Sequence, residues 1–365
     1  MYYRTNLMNP KRDTGSTYSK SNREKWIAML KKLALTSVLA LGAAVPGHAA
    51  ETLRYAHFMS AASWQNQTIF EDWATAVETA SGGAVDVQVF PAQTLGKAAA
   101  GYDNAVTGIA DIAWTVPGYT AGRFPLSQIM ELPGLFETGA VGSCAFQKLY
   151  DSGALDEEYA DTHIIFVHTH DPGHLHTSKK PVYTLEDMKG LKLRRPTQVV
   201  GELLTNLGAE PVGMPAPNTY EALQRGAIDG YMLPWESVDS FRLDELTEYH
   251  TVFGFYALAF ISTMNKAKYD SLSPEAKAAV DANSGMQWAV TAGRGYDEEG
   301  AKVLERLKTE STVIELSDEE RAKWDEAAQA ATDSYIAFLN AQGLPGTATY
   351  EAVKGYVSDC ETELN

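Results

Sequence analysis

The sequence predicts an α/β protein built from two similar lobes, and three observations support that reading. From residue 51 to about 170, short runs with a two-residue period alternate with amphipathic helical runs, the grammar of βαβ units. Residues 184–233 repeat that grammar, and the two halves share an echo at one helix-to-strand junction: Gly108-Ile109-Ala110-Asp111 and Gly226-Ala227-Ile228-Asp229. From Ser273 the chain turns helical and charged, as an outer layer does.

Each element follows from its residues. Leu53–Phe58 reads as a first strand, and the stripe Trp64, Ile69, Trp73, Val77 and Ala80 marks a helix that Ser81-Gly82-Gly83 stops. Val85, Val87 and Val89 alternate with polar residues in a second strand, ended by Pro91. A helix over 98–107, a strand over 109–114, a helix near 141–150 and a strand over 164–168 follow.

In the second half, Thr184-Leu185-Glu186-Asp187 is a capped turn and Leu191–Arg194 a strand. Thr197 caps a helix over 199–207 that Gly208 closes, Asn218 and Gly226 bracket the next helix, and Ile228–Leu233 is a strand. Ser273-Pro274-Glu275 starts a helical region running through Leu304; another spans Ser317–Leu339. Gly343-Leu344-Pro345-Gly346 separates off a last short helix with Cys360.

Charge narrows the function. The 365 residues have a formal charge of −17, which argues against a nucleic-acid surface. Residues 1–50 hold eight basic and two acidic side chains, leaving −23 for residues 51–365. Lys31-Lys32 precede an apolar run, Leu33–Val45, too short for a permanent membrane span, and Gly47-His48-Ala49 is a small-x-small cleavage site. Residues 1–50 therefore read as an extension plus signal peptide, with Met29 an alternative start and a mature chain beginning at Ala50 or Glu51. Export gives an oxidising setting, in which Cys144 and Cys360 are expected to pair; two separate buried thiols are the alternative.

Catalytic signatures are missing. There is no G-x-S-x-G elbow, P-loop, H-E-x-x-H, S-x-x-K or dinucleotide fingerprint, so a binder is favoured over an enzyme. His168, His170, His174 and His176 could hold a metal, as in a periplasmic hydrolase. Against that, Pro172-Gly173 interrupts the set and no Cys or carboxylate cluster accompanies it. Arg194 stands out differently: at a strand end beside Pro196 and the helix cap Thr197, its guanidinium can grip a carboxylate through two parallel hydrogen bonds.

The stretch Leu185-Glu186-Asp187-Met188-Lys189-Gly190-Leu191-Lys192-Leu193-Arg194-Arg195-Pro196 is the most specific part of a wider resemblance. With it go Leu207-Gly208-Ala209-Glu210-Pro211-Val212, Tyr220–Gly230, Gln93-Thr94-Leu95-Gly96 and Glu131-Leu132-Pro133. Together these make residues 51–365 resemble the substrate-binding proteins of tripartite ATP-independent periplasmic (TRAP) transporters, of the DctP type. The resemblance implies an α/β two-lobed periplasmic binding protein of the type II-like, Venus-flytrap kind, with crossing hinge strands and a long interlobe helix. Its expected lobes are 51–170 plus about 258–297, and 171–257 plus about 298–365. It further implies a non-catalytic receptor that hands an organic acid to small and large membrane subunits, as monomer or dimer and with no cofactor.

Arg194 falls on the family's carboxylate-binding arginine. Where sialic-acid-type members carry polar recognition groups, this chain has Phe58, Val116, Tyr119, His174 and Leu233, and Trp114 keeps an aromatic position. The substrate-binding set expected is therefore Arg194, His174, Trp114, Tyr119, Phe58, Leu233 and Trp235, suited to an apolar or aromatic monocarboxylate or oxo acid. Some oxo-acid binders in the family use a cation held by a Glu of this region, which leaves Glu236 as a weak metal candidate. The alternatives are a C4-dicarboxylate receptor of the same family and a solute-binding protein of an ATP-driven importer.

Overall fold

A computed structural model of the chain describes residues 50–364. The extension and signal peptide expected before Ala50 lie outside the described residues. Eleven strands occur among those described: β1 (Glu51–Ala56), β2 (Val85–Phe90), β3 (Ile112–Thr115), β4 (Thr162–Thr169), β5 (Gly173–Thr177), β6 (Lys192–Arg195), β7 (Glu210–Gly213), β8 (Gly230–Leu233), β9 (Tyr249–Tyr256), β10 (Ala259–Asn265) and β11 (Thr312–Ile314). Eleven α-helices accompany them: α1 (Asp72–Ala80), α2 (Gly101–Val106), α3 (Gly139–Asp151), α4 (Gln198–Asn206), α5 (Thr219–Gln224), α6 (Trp235–Ser240), α7 (Lys266–Ser271), α8 (Pro274–Ala282), α9 (Met286–Glu310), α10 (Asp318–Ala341) and α11 (Gly346–Leu364).

The strands form two mixed sheets, ordered β2-β1-β3-β10-β4 and β11-β9-β5-β8-β6-β7. Hydroxyl caps start four of the helices: Thr138, Thr197, Ser273 and Ser317 each accept from a backbone N–H three residues on. The Thr184–Asp187 turn is a complete capping box.

The internal echo has a shared physical cause. Asp111 accepts the Arg54 N–H through its carboxylate at 2.8 Å and returns its own N–H to the Arg54 carbonyl. Asp229 does the same with Lys192, its carboxylate 2.9 Å from the Lys192 nitrogen. Both turns need a glycine in the left-handed region, Gly108 at φ +72° and Gly226 at φ +67°. These turns also correct two strand starts. The strands begin at Ile112 and Gly230 instead of Ile109 and Ile228, because the residues after each glycine close the turn and Ile109 is half exposed.

The chain crosses between sheets with little slack. Only His170-Asp171-Pro172 separates β4 of the first sheet from β5 of the second, and only Ala257-Leu258 separates β9 from β10. The long helix α9 packs on α3 and β4 at its start and on α6 and β11 further along. Gly139 and Gly293 let it come close: a Cβ on Gly139 would lie 2.7 Å from the Gly293 carbonyl oxygen. Asp297 of the same helix accepts the Gly139 and Ala140 N–H groups, capping α3.

The last helix, α11, has 19 residues, longer than expected, and lies on α3. The Cys144–Cys360 disulfide ties these two helices together across 216 residues of sequence. Among the described residues no helix is long and apolar enough to cross a membrane.

Candidate ligand-binding site

Arg194 is wholly buried, yet no carboxylate among the described residues pairs with it. Its Nε donates to the Met214 carbonyl, one terminal nitrogen to the Met232 carbonyl, each at 3.0 Å, and the other to the Tyr119 hydroxyl at 3.4 Å. A guanidinium has five N–H donors, so one remains on each terminal nitrogen, the parallel pair that a carboxylate accepts. A buried cation held only by neutral oxygens is costly, and an anion arriving beside it offsets that cost.

Tyr119 links this cation to an aromatic cluster on the first sheet's side. Phe58 lies against Trp114 with ring centroids 4.6 Å apart and 6.0 Å from Tyr119. Phe260 stacks on Trp114 at 4.7 Å and on His168 at 4.9 Å. The indole N–H of Trp114 donates to His168 Nε2 at 2.8 Å, so that the imidazole must be neutral with its proton on Nδ1, facing the Thr169 carbonyl. Burial, which pushes His168 down to about 3, keeps it so.

At the two crossings, the sequence named His170 only as one of a histidine run and did not single out Tyr256. His170 follows β4 and Tyr256 ends β9, and their rings meet edge to face at 5.5 Å. Both are buried, and neither His170 Nε2 nor the Tyr256 hydroxyl has a hydrogen-bond partner. The Arg194 charge is felt at both side chains, lowering the basicity of His170 and favouring ionisation of Tyr256 against the stronger effect of burial. Gly173 makes room here: a Cβ on it would stand 2.2 Å from Cε1 of Tyr256. The only sequence signal was the histidine run itself, in which His170 resembled its neighbours.

Of the seven expected residues, Arg194, Tyr119, Phe58 and Trp114 are thus brought together. His174, Leu233 and Trp235 form a second group. β5 and β8 pair with His174 opposite Leu233 and His176 opposite Tyr231, which puts the two histidines on one face. His174 accepts the Phe253 N–H and stacks on Trp235 at 4.3 Å, beside a cleft of about 610 Å³ that Asp171, Asp297 and Arg321 also line. Burial pushes His174 down to about 3, so it is no second cation.

Glu236 is taken up by protein donors: Trp64 Nε1 at 3.0 Å, Gln65 Nε2 at 2.8 Å, Ser240 at 2.9 Å, and the Ser237 hydroxyl. Burial raises its pKa above the usual carboxylate value. Among the described residues the one cluster with metal-ligand spacing is Cys144, Cys360 and Glu363, and its two sulfurs are joined in the disulfide.

Two α/β sheets joined by crossing strands, with a buried cation between them, define a two-lobed solute receptor. The chain belongs to the bacterial extracellular solute-binding protein family 7, DctP, which it matches over residues 55–337. It is similar to a TRAP solute binding protein from an unidentified marine microbe, specific for aromatic acid ligands and solved with metahydroxyphenylacetate. The two share 35% identity at a TM-score of 0.81, covering 85% of this chain and 99% of the other. A TRAP solute binding protein from Rhodoferax ferrireducens, solved with copurified benzoate, shares 34% identity at a TM-score of 0.83, with 86% and 99% covered. The ectoine/5-hydroxyectoine-binding periplasmic protein UehA of Ruegeria pomeroyi is 29% identical over 268 residues, 71% of this chain and 78% of the relative.

Proposed function

We propose that this receptor captures an aromatic monocarboxylate in the periplasm and presents it to the small and large membrane subunits of a TRAP transporter for ion-driven uptake. The observation that supports this is Arg194, buried without a carboxylate partner and bonded to Tyr119, whose ring adjoins the Phe58, Trp114 and Phe260 cluster. One cation with two spare N–H donors matches one carboxylate, and stacked rings match an aromatic body. The aromatic acids named for the two similar structures point the same way. Binding involves no chemical turnover and no cofactor, and an N-terminal signal peptide exports the chain.

In this reading the lobes are residues 51–170 plus about 258–297, and 171–257 plus about 298–365. The last helix reaches back from the second lobe to α3. Arg194, Tyr119, Phe58 and Trp114 contact the ligand, while His174, Leu233 and Trp235 back the second lobe.

A thermal-shift panel of benzoate, phenylacetate, succinate and ectoine tests the proposal. A ligand at a hundred times its dissociation constant stabilises the folded form by about 2.7 kcal/mol, a shift of a few degrees. Stabilisation by the aromatic acids is expected. A response to succinate alone would restore the C4-dicarboxylate alternative, and a response to ectoine alone would place the chain with the ectoine binders.

A further inference from the structure

We propose that the preferred ligand carries a hydroxyl group as well as its carboxylate, and that His170 Nε2 is the acceptor that selects it. This deepens the aromatic-acid reading and rests on it.

The inference begins with a tautomer. His170 Nδ1 is hydrogen-bonded to the Asp171 carbonyl, which can only accept, so the ring proton of a neutral His170 is on Nδ1. Its Nε2 then presents a lone pair. His168, two residues earlier, holds the same tautomer, and there the lone pair is met by the Trp114 N–H. At His170 no protein donor meets it, although the residue is 1% exposed. Native proteins seldom leave such a buried group unmatched, and a ligand that satisfies it gains affinity over one that does not.

The neighbours define what satisfies it. The Tyr256 hydroxyl, on the ring packed edge to face with His170, is also without a partner and has a proton to give. An unpaired lone pair and an unpaired O–H donor on two rings in contact together make the complement of one hydroxyl group, which donates to the first and accepts from the second. A second carboxylate is a poor match, because it would set an anion against the Nε2 lone pair. Protonating the ring to make it welcome is opposed by burial and by the nearby Arg194 charge, which together push His170 down to about 3. The ligand class that fits Arg194, the stacked rings and this pair is a hydroxy-substituted aromatic monocarboxylate.

Calorimetry with matched acids tests this: benzoate against 2-, 3- and 4-hydroxybenzoate, and phenylacetate against 3-hydroxyphenylacetate and mandelate. At least one hydroxylated acid is expected to bind about tenfold or more tighter than its parent. In His170→Phe that ratio should collapse to within about twofold. Parents binding as tightly as every hydroxylated partner, or a preference that survives His170→Phe, would overturn the inference and leave the aromatic-acid reading standing. Binding of ectoine or succinate with no aromatic acid bound would overturn both. Should His170→Phe fail to fold, nitrogen NMR of the unaltered protein decides. The His170 Nε2 signal should be that of an unprotonated ring nitrogen and move on adding the preferred hydroxy acid but not its parent; no such difference overturns the inference.

Discussion

The Tyr119 hydroxyl lies 3.4 Å from a terminal nitrogen of Arg194 and 3.1 Å from the backbone nitrogen of Ala216, so one phenol on the first sheet's side meets two donors of the second. Accepting from both leaves its own proton free for a ligand oxygen. Tyr119→Phe keeps the ring beside Phe58 and removes that acceptor. Ligand affinity measured by calorimetry is expected to fall about five- to twentyfold, with the melting point of the ligand-free protein nearly unchanged. Affinity within twofold of the parent protein would show that the hydroxyl takes no part in binding.

Arg194→Lys retains the charge and loses the planar fork. A lysine ammonium cannot reach Met214, Met232 and Tyr119 while also presenting two parallel donors. The expected loss is about a hundredfold in affinity, with circular dichroism unchanged. Equal affinity in the variant would remove Arg194 from the binding site.

Reducing Cys144–Cys360, or replacing both with Ala, frees a closed loop spanning most of the described chain. A destabilisation of about 2–4 kcal/mol is expected in denaturant titration. Hydrogen exchange should rise first in Gly346–Leu364, which the bond holds to α3. Ligand affinity should stay the same, because neither helix supplies a proposed contact residue.

The pH response has opposing parts. Glu131 is buried, accepts from Thr197 at 2.5 Å, and is pushed up to about 8. The folded protein thus keeps a proton that the unfolded chain releases above about 4.5. Its contribution is complete below that value and is lost as the pH rises through about 8. Burial lowers His168 and His174 to about 3, so each contributes above about 6.5 and loses that contribution as the pH falls toward 3. Compared with Glu131→Gln, the unaltered protein should lose stability between pH 5 and 8 with a slope approaching about 1.4 kcal/mol per unit. A pH-independent difference between the two would mean that Glu131 is already ionised in the folded protein.

What could be read from residues alone follows the range of the forces involved. The capped turn at Thr184, the helix starts at Thr197, Ser273 and Ser317 and the paired glycine–aspartate turns are settled by neighbours a few positions away, and all are legible. Arg194 was legible through its strand end and its resemblance to a known position. Tyr256 was not, because nothing in Gly254-Phe255-Tyr256-Ala257 marks it; its proposed place in the site comes from meeting His170 across 86 positions of sequence. His174 was read together with its neighbours for the complementary reason. Histidines of one run looked alike until the β5–β8 register turned His174 and His176 toward Trp235 and the end of the strand left His170 at the crossing.

The crossings have a consequence for the order of events. His170 and Tyr256 sit beside the two crossings, so if the proposed lobes swing about those segments, their separation would barely change. Tyr119 and Arg194 fall in opposite lobes of the proposed division, and the same swing would part them. Chemical inspection of an arriving molecule can therefore happen at the axle while the jaws are apart, with retention following only afterwards.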